Sequence, residues 1–375
     1  MSGEILFNQE WCIDDYDSVR GQDIDSNEKS QAYAYMSKAG GQKNRYICWM
    51  DVATGNTVRI MDYGEDPQWS PSGEQVVFSA EPLSGPEGPQ VDTNRPWTWN
   101  DQLYVWDVAS GRLTRLTSEE DDPVRAPQWA PDGQSIFCLV YRRLQRVTLT
   151  TGQMEDLQIE CNAFLLSPTA DRVACLQYPG DGTYRTALYT IPDAQMILEI
   201  PFASHPVWSP GGDLIAYIED TGQGSNSLAM RPEQGAFHDI VIQSMASGEV
   251  VWRTKRRYPG AWDGVSWSPS GRYFACGSGY TLEISDSESG PVTCNLGPPT
   301  TKRPLHWIRN ILWSPDETEL IFVHGYKWGA TADESGFTLC AVQTDGSGFR
   351  QLTADETGHP RVCIASDRPV LRPPG

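Results

Sequence analysis

A short turn motif recurs at near-regular intervals along the chain, and a sequence built this way folds as serial copies of one small unit. The copies are Gln68-Trp69-Ser70-Pro71-Ser72-Gly73, Gln128-Trp129-Ala130-Pro131-Asp132-Gly133, Leu165-Leu166-Ser167-Pro168, Val207-Trp208-Ser209-Pro210-Gly211-Gly212, Ser266-Trp267-Ser268-Pro269-Ser270-Gly271 and Leu312-Trp313-Ser314-Pro315-Asp316. Each reads as an apolar strand running into a tight turn, because proline presets φ and the following Gly or Asp supplies the remaining turn geometry. A second strand follows without a gap. Seven residues after the prolines stand Phe78, Cys138, Cys175, Tyr217, Cys276 and Phe322, one buried-type side chain per copy. Three of the nine cysteines are thereby read as core fillers.

A second landmark follows each hairpin. Strands end in small-residue turns at Thr54-Gly55, Ser110-Gly111, Thr151-Gly152, Ser247-Gly248, Ser289-Gly290 and Asp345-Gly346, with Asp193-Ala194 in the equivalent place. This landmark occurs seven times against six for the first. The additional unit lies at the N-terminus, where Tyr33-Ala34-Tyr35 and Tyr46 to Val52 read as second and third strands whose preceding turn has lost its proline. The expected architecture is all-β: a seven-bladed β-propeller of four-stranded antiparallel blades over residues 26–365, closed by a C-terminal strand. Residues 1–25 read as an acidic arm or accessory strand and 366–375 as a tail. Gly358 to Ile364 reads as the closing innermost strand, with Ile5 to Phe7 or Trp11 to Ile13 as alternatives.

The Trp-Ser-Pro-Asp-Gly-type copies resemble the TolB-like, or PD40, repeat β-propellers, and the resemblance covers roughly residues 26 to 365. It implies four-stranded blades around a central channel, in proteins that either stand alone or are attached to peptidases. Trp106-Asp107 is similar to the third-strand end of WD40 repeats, a more distant likeness.

Charge narrows the partners. With 29 Lys plus Arg against 49 Asp plus Glu, the formal charge is −20, which argues against a binder of phosphate backbones. No run of about 18 apolar residues is present for a membrane-spanning helix. Met1 to Phe7 carries no basic, long apolar leader, and nine cysteines without a Cys-x-x-Cys pair suggest reduced thiols, so the cytoplasm is the expected location. A monomer is expected.

Insertions point to one face. Connections after the first and third strands are short, whereas those after the second and fourth hold nearly all the additional length: 81 to 100, 118 to 125, 220 to 236, 255 to 263, 297 to 309 and 325 to 336. Loops on one face of a rigid scaffold are where such folds place binding. The candidate ligand-binding residues are Trp97, Trp99, Arg256, Arg257, Tyr258, Trp262, His306, Trp307, His324 and Trp328. Basic clusters beside aromatic rings suit a protein partner or an anionic or aromatic small molecule, held by guanidinium contacts and stacking. The plainer reading has the Trp residues packing loops onto the rim and the Arg residues pairing with Asp and Glu.

Catalytic and metal signatures do not emerge. His238, His306, His324 and His359 have no metal-ligand spacing, and Asp23-x-Asp25-x-Asn27 lacks the Gly and Glu of a calcium loop. No metal and no cofactor is therefore expected. There is no Gly-x-Ser-x-Gly elbow and no phosphate loop. A recognition module is the leading reading. The rival is a stand-alone propeller enzyme, a lyase, hydrolase or cyclase, with polar groups such as Tyr258, Asp263, His306 and Asp333 converging at the channel mouth.

Overall fold

The computed structural model describes residues 4–11, 44–51, 57–62, 64–80, 101–118, 122–180, 183–220, 237–253, 258–259, 265–278, 281–286, 290–295, 305–327, 335–352 and 370–371. Its elements are all β-strands, arranged as a propeller of four-stranded antiparallel blades. Blade one comprises Gly64–Trp69, Gln75–Ala80, Gln102–Asp107 and Leu113–Arg115, and blade two comprises Val124–Trp129, Ser135–Val140, Arg143–Thr148 and Met154–Glu160. Blade three follows with Ala163–Leu166, Arg172–Gln177, Arg185–Thr190 and Met196–Pro201. Blade four has Ala203–Trp208, Leu214–Asp220, Phe237–Ser244 and Val250–Arg253, with Tyr258–Pro259 pairing beside it. Blade five has Val265–Trp267, Tyr273–Ser278, Thr281–Asp286 and Gly290–Asn295, and blade six has Leu305–Trp313, Glu319–Lys327, Ser335–Gln343 and Arg350–Gln351.

The expectation of seven blades is corrected here: among the described residues six blades are built from consecutive strands. A further four-stranded sheet is composite, in the order Val370–Leu371, Glu4–Trp11, Asn44–Asp51, Thr57–Asp62. The physical reason is the missing proline turn: elsewhere it joins first and second strands in one hairpin, whereas here those two strands come from opposite chain ends. Its second strand is Glu4–Trp11, paired along its length with Asn44–Asp51. The expected second strand, Tyr33 to Tyr35, lies outside the described residues, as does Gly358 to Ile364. Val370 and Leu371 are what pair with Leu6 and Ile5.

The repeated turn works as its composition requires. The carbonyl of Ser70, Ala130, Ser167, Ser209, Ser268 or Ser314 accepts the N–H three residues on at 2.8–2.9 Å. That third residue is left-handed, as glycine in four blades (φ 66–74°) and as Ala170 and Glu317 in the other two. Each serine adds a lock, its Oγ accepting the N–H five residues on at 2.9–3.1 Å in five blades. The turn thus delivers the second strand in a set register.

That register alternates side chains between two seams. On one strand of blade one, Val76, Phe78 and Ala80 pack with Ile47 of the composite sheet, whereas Val77 packs with Val124, Ile136 and Cys138 of blade two. All six residues placed seven after a proline are at most 4% exposed. Each lies in the cluster its blade shares with a neighbour. Indole N–H groups tie first strands across seams: Trp129 donates to the Gln68 carbonyl, Trp208 to Leu165, Trp267 to Val207 and Trp313 to Ser266, at 3.0–3.3 Å. Blade three has Leu166 in place of Trp, and there Gln128 of blade two spans the seam, donating to the Phe164 carbonyl at 2.8 Å and accepting from the Leu166 N–H at 3.2 Å.

Candidate recognition face

By strand alternation, the described connections after second and fourth strands, such as Tyr141–Arg142 and Phe202, lie at the blade end to which the sequence assigns the long insertions. Trp97, Trp99, Arg256, Arg257, Trp262 and Trp328 lie in segments outside the described residues. Tyr258 is placed by backbone pairing with His238 at the edge of blade four. His306 stands opposite Tyr326 and Trp307 opposite Gly325, while half-buried His324 stands opposite Ile308 and Thr338. The register therefore brings His306, Trp307 and His324 to one end of blade six, whereas Tyr258 belongs to blade four.

A group that the loop-length argument passed over lies where blades three and four meet. Tyr178 and Tyr184 bracket the connection after the second strand of blade three, and Phe202 is the single residue linking Pro201 to Ala203 of the next blade. The Tyr184 ring is 6.4 Å from Tyr178 at 48° and 6.2 Å from Phe202 at 88°. Backbone bonds fix the arrangement: the Phe202 N–H donates to the Tyr184 carbonyl, and the Phe202 carbonyl accepts from the Asp220 N–H, both at 2.9 Å. Phe202 is 45% exposed with φ at 55°, and Tyr141, at the tip of the blade-two hairpin, is 69% exposed with φ at 53°. Bulky residues seldom take the left-handed region, and strain of this kind concentrates at functional surfaces. A trace exists in the sequence, where two tyrosines flank the Pro179-Gly180 turn.

The charges here are mostly internal. Arg142 reaches Glu160 at 3.4 Å and donates to Asn162 Oδ1 and the Tyr178 carbonyl at 3.2 and 3.1 Å. Arg143 pairs with Asp156, and Arg185 with Glu199. Arg253 sits between Glu219 and Asp239. Burial pushes the Tyr178 phenol upward, and burial, the Asp220 charge and Tyr178 push Tyr184 up to about 12. Burial and Glu219 likewise hold Tyr217 at about 12, with Arg253 opposing. At the surface, a 3.1 Å hydrogen bond to Asp122 raises Tyr141.

A folded-state value above the roughly 10 of a free phenol means that the neutral form's stabilisation is complete below about pH 10 and is lost as pH rises toward 12. Ultraviolet titration is therefore expected to show a late phenol step near pH 12, which shrinks in Tyr184→Phe. A wild-type titration complete by about pH 11 would contradict the burial of these rings.

Deeper in, the first strands break register at one recurring place, between Glu65 and Gln68, Arg125 and Gln128, Ser204 and Val207, and Arg309 and Leu312. Asp66, Ala126 and His205 are left-handed there, each with φ at 51°. Asp66 Oδ2 accepts the Ala126 N–H at 3.0 Å, and His205 Nδ1 lies 3.0 Å from Ser204 Oγ. Bulges of this kind re-aim side chains. His205 stands outside the sequence-derived histidine set because it falls inside a repeat strand. Among the described residues no cluster of three His, Cys, Asp or Glu forms a metal-type site, and Cys138 and Cys340 are buried thiols pushed up to about 12.

No family model matches the chain. Dipeptidyl-peptidase 5 of Porphyromonas gingivalis is 29% identical over 138 residues, covering 34% of this chain and 19% of that protein. The uncharacterized peptidase YuxL of Bacillus subtilis is 28% identical over 225 residues, covering 57% of this chain and 27% of that protein. The chain thus spans about a fifth to a quarter of these curated relatives. Among solved structures, an oligogalacturonate lyase in complex with manganese matches with a TM-score of 0.55 at 13% identity, over 82% of this chain and 84% of the other. TolB from Acinetobacter baumannii matches at 0.45 and 15%, over 88% and 79%. The lyase likeness supports the propeller fold.

Proposed function

We propose that this chain is a recognition propeller that binds a protein partner on its loop-rich face. The observation that carries the reading is the ring group of half-buried Tyr178 and Tyr184 with exposed Phe202 at the blade-three/blade-four seam, where two exposed aromatic residues, Tyr141 and Phe202, take left-handed conformations. Aromatic anchors on a rigid scaffold dominate the energetics of protein interfaces. In this reading Trp97, Trp99, Arg256, Arg257, Tyr258, Trp262, His306, Trp307, His324 and Trp328 extend the surface. Service as the substrate-selecting part of a larger peptidase is one form of this function, and the names of the curated relatives support it.

A second reading is a stand-alone enzyme acting on a polar substrate at the channel mouth. Its support is the polar groups at the first-strand bulges, Asp66, which accepts the Ala126 N–H, and the Ser204–His205 pair. Affinity capture from source-cell lysate tests both readings, comparing wild type with a Trp307→Ala, Arg256→Ala, Arg257→Ala triple variant and with Phe202→Ala. The expected result is a co-eluting protein lost from at least one variant. A small molecule lost instead of a protein would favour the pocket of an enzyme or an anionic ligand, and identical eluates would remove this face from consideration.

A further inference from the structure

We propose that the seam of blades three and four is a binding site for an organic cation, the ammonium or guanidinium head of a basic peptide side chain or the same head group on a small molecule. This rests on the reading of the loop-rich face as a recognition surface. The three rings are set at 48° and 88° to one another, so they form an angled wall and not a closed stack. Aromatic faces carry negative electrostatic potential, and cations placed over them are attracted most when partly desolvated. Tyr178 and Tyr184 are half-buried and Phe202 is 45% exposed, which offers both partial desolvation and access.

Charge favours the same occupant. The Asp220 backbone is bonded to Phe202, which sets an acidic residue next to the ring group. The basic side chains beside the rings are already engaged, Arg142 by Glu160, Asn162 and the Tyr178 carbonyl, and Arg185 by Glu199 and Gln177. The whole chain bears a formal charge of −20, which draws cations to its surface. The wall is also rigid. Phe202 occupies a one-residue link, and Asn162 Oδ1 accepts the Tyr178 N–H at 3.0 Å, so little ordering remains to oppose binding.

The test is titration of the whole chain by calorimetry with choline, with N-acetyl-lysine methylamide and N-acetyl-arginine methylamide, and with the neutral tert-butyl isostere of choline. At least one cation is expected to bind with a Kd in the millimolar range or better, and the neutral isostere about tenfold more weakly. Phe202→Leu and Asp220→Asn are each expected to weaken that binding about fivefold or more. Asp220→Asn preserves side-chain shape, so its result stands even where Phe202→Leu lowers stability. Binding by the amides but not by choline identifies a peptide side chain as the source, and the reverse identifies a small quaternary ammonium compound. Equal binding of the isostere, no cation binding, or binding indifferent to Asp220→Asn would overturn the proposal. A partner lost from Phe202→Ala in the capture experiment would leave the recognition reading standing in any of those cases.

Discussion

Gly277→Val is expected to cost more than about 3 kcal/mol and to remove most of the cooperative unfolding transition, since a domain's whole margin is only about 5–15 kcal/mol. Gly277 is buried on the second strand of blade five, facing the first strand of blade six. A Cβ there would stand 2.8 Å from Ile308 Cβ, 2.9 Å from its Cγ2 and 3.2 Å from its carbonyl oxygen. Two of those three atoms cannot move without moving the strand that holds His306 and Trp307. Gly64 provides the contrast. Its Cβ would meet Ile47 Cδ1 at 2.5 Å, the far end of a flexible side chain, so Gly64→Ala is expected to cost only about 1 kcal/mol. Urea unfolding of both variants checks the pair. A Gly277→Val midpoint matching that of Gly64→Ala would mean that the two blades slide apart freely.

Phe274→Ala is expected to lose about 3–5 kcal/mol from the lost burial of the ring and the cavity it leaves. Phe274 is 1% exposed and sits between blades four and five, its ring 4.8 Å from Trp252 at 74° and 5.8 Å from Trp267 at 57°. Such pairs add about 0.5–1.5 kcal/mol beyond area burial, so the loss should exceed that of an aliphatic deletion at a comparable site. Leu188→Ala, at a 0% exposed position in the blade-three/blade-four cluster, is the comparison. Thermal unfolding that ranks Leu188→Ala as the costlier change would show that the aromatic seam collapses around the gap.

The turns and the core were open to reading because they are local. Pro71 presets φ, Gly73 takes the left-handed position and Ser70 locks the next strand, all within a few residues. Phe78 and its counterparts then fall on a buried side by simple alternation. The composite sheet was not open in this way. Pairing Glu4–Trp11 with Asn44–Asp51 and with Val370–Leu371 spans most of the chain, and no turn residue marks it. The expected position at Tyr33 to Tyr35 followed from spacing, which fails once a hairpin is replaced by long-range pairing.

The ring group shows the same division. Long insertions drew attention to Trp97, Trp262 and Trp328, whereas Tyr184 and Phe202 sit at the ends of short connections where sequence length carries no signal. Sequence alone determined the repeat, the strand–turn–strand unit and the alternation that buries one side chain per copy. Tertiary structure decided which chain ends complete the last sheet, that Arg142, Arg185 and Arg253 are held by Glu160, Glu199 and Glu219, and that three rings meet beside Asp220. The reason is range: turn sterics and periodicity act between neighbours along the chain, whereas charge pairing and ring geometry depend on which blade edges the closed packing brings together.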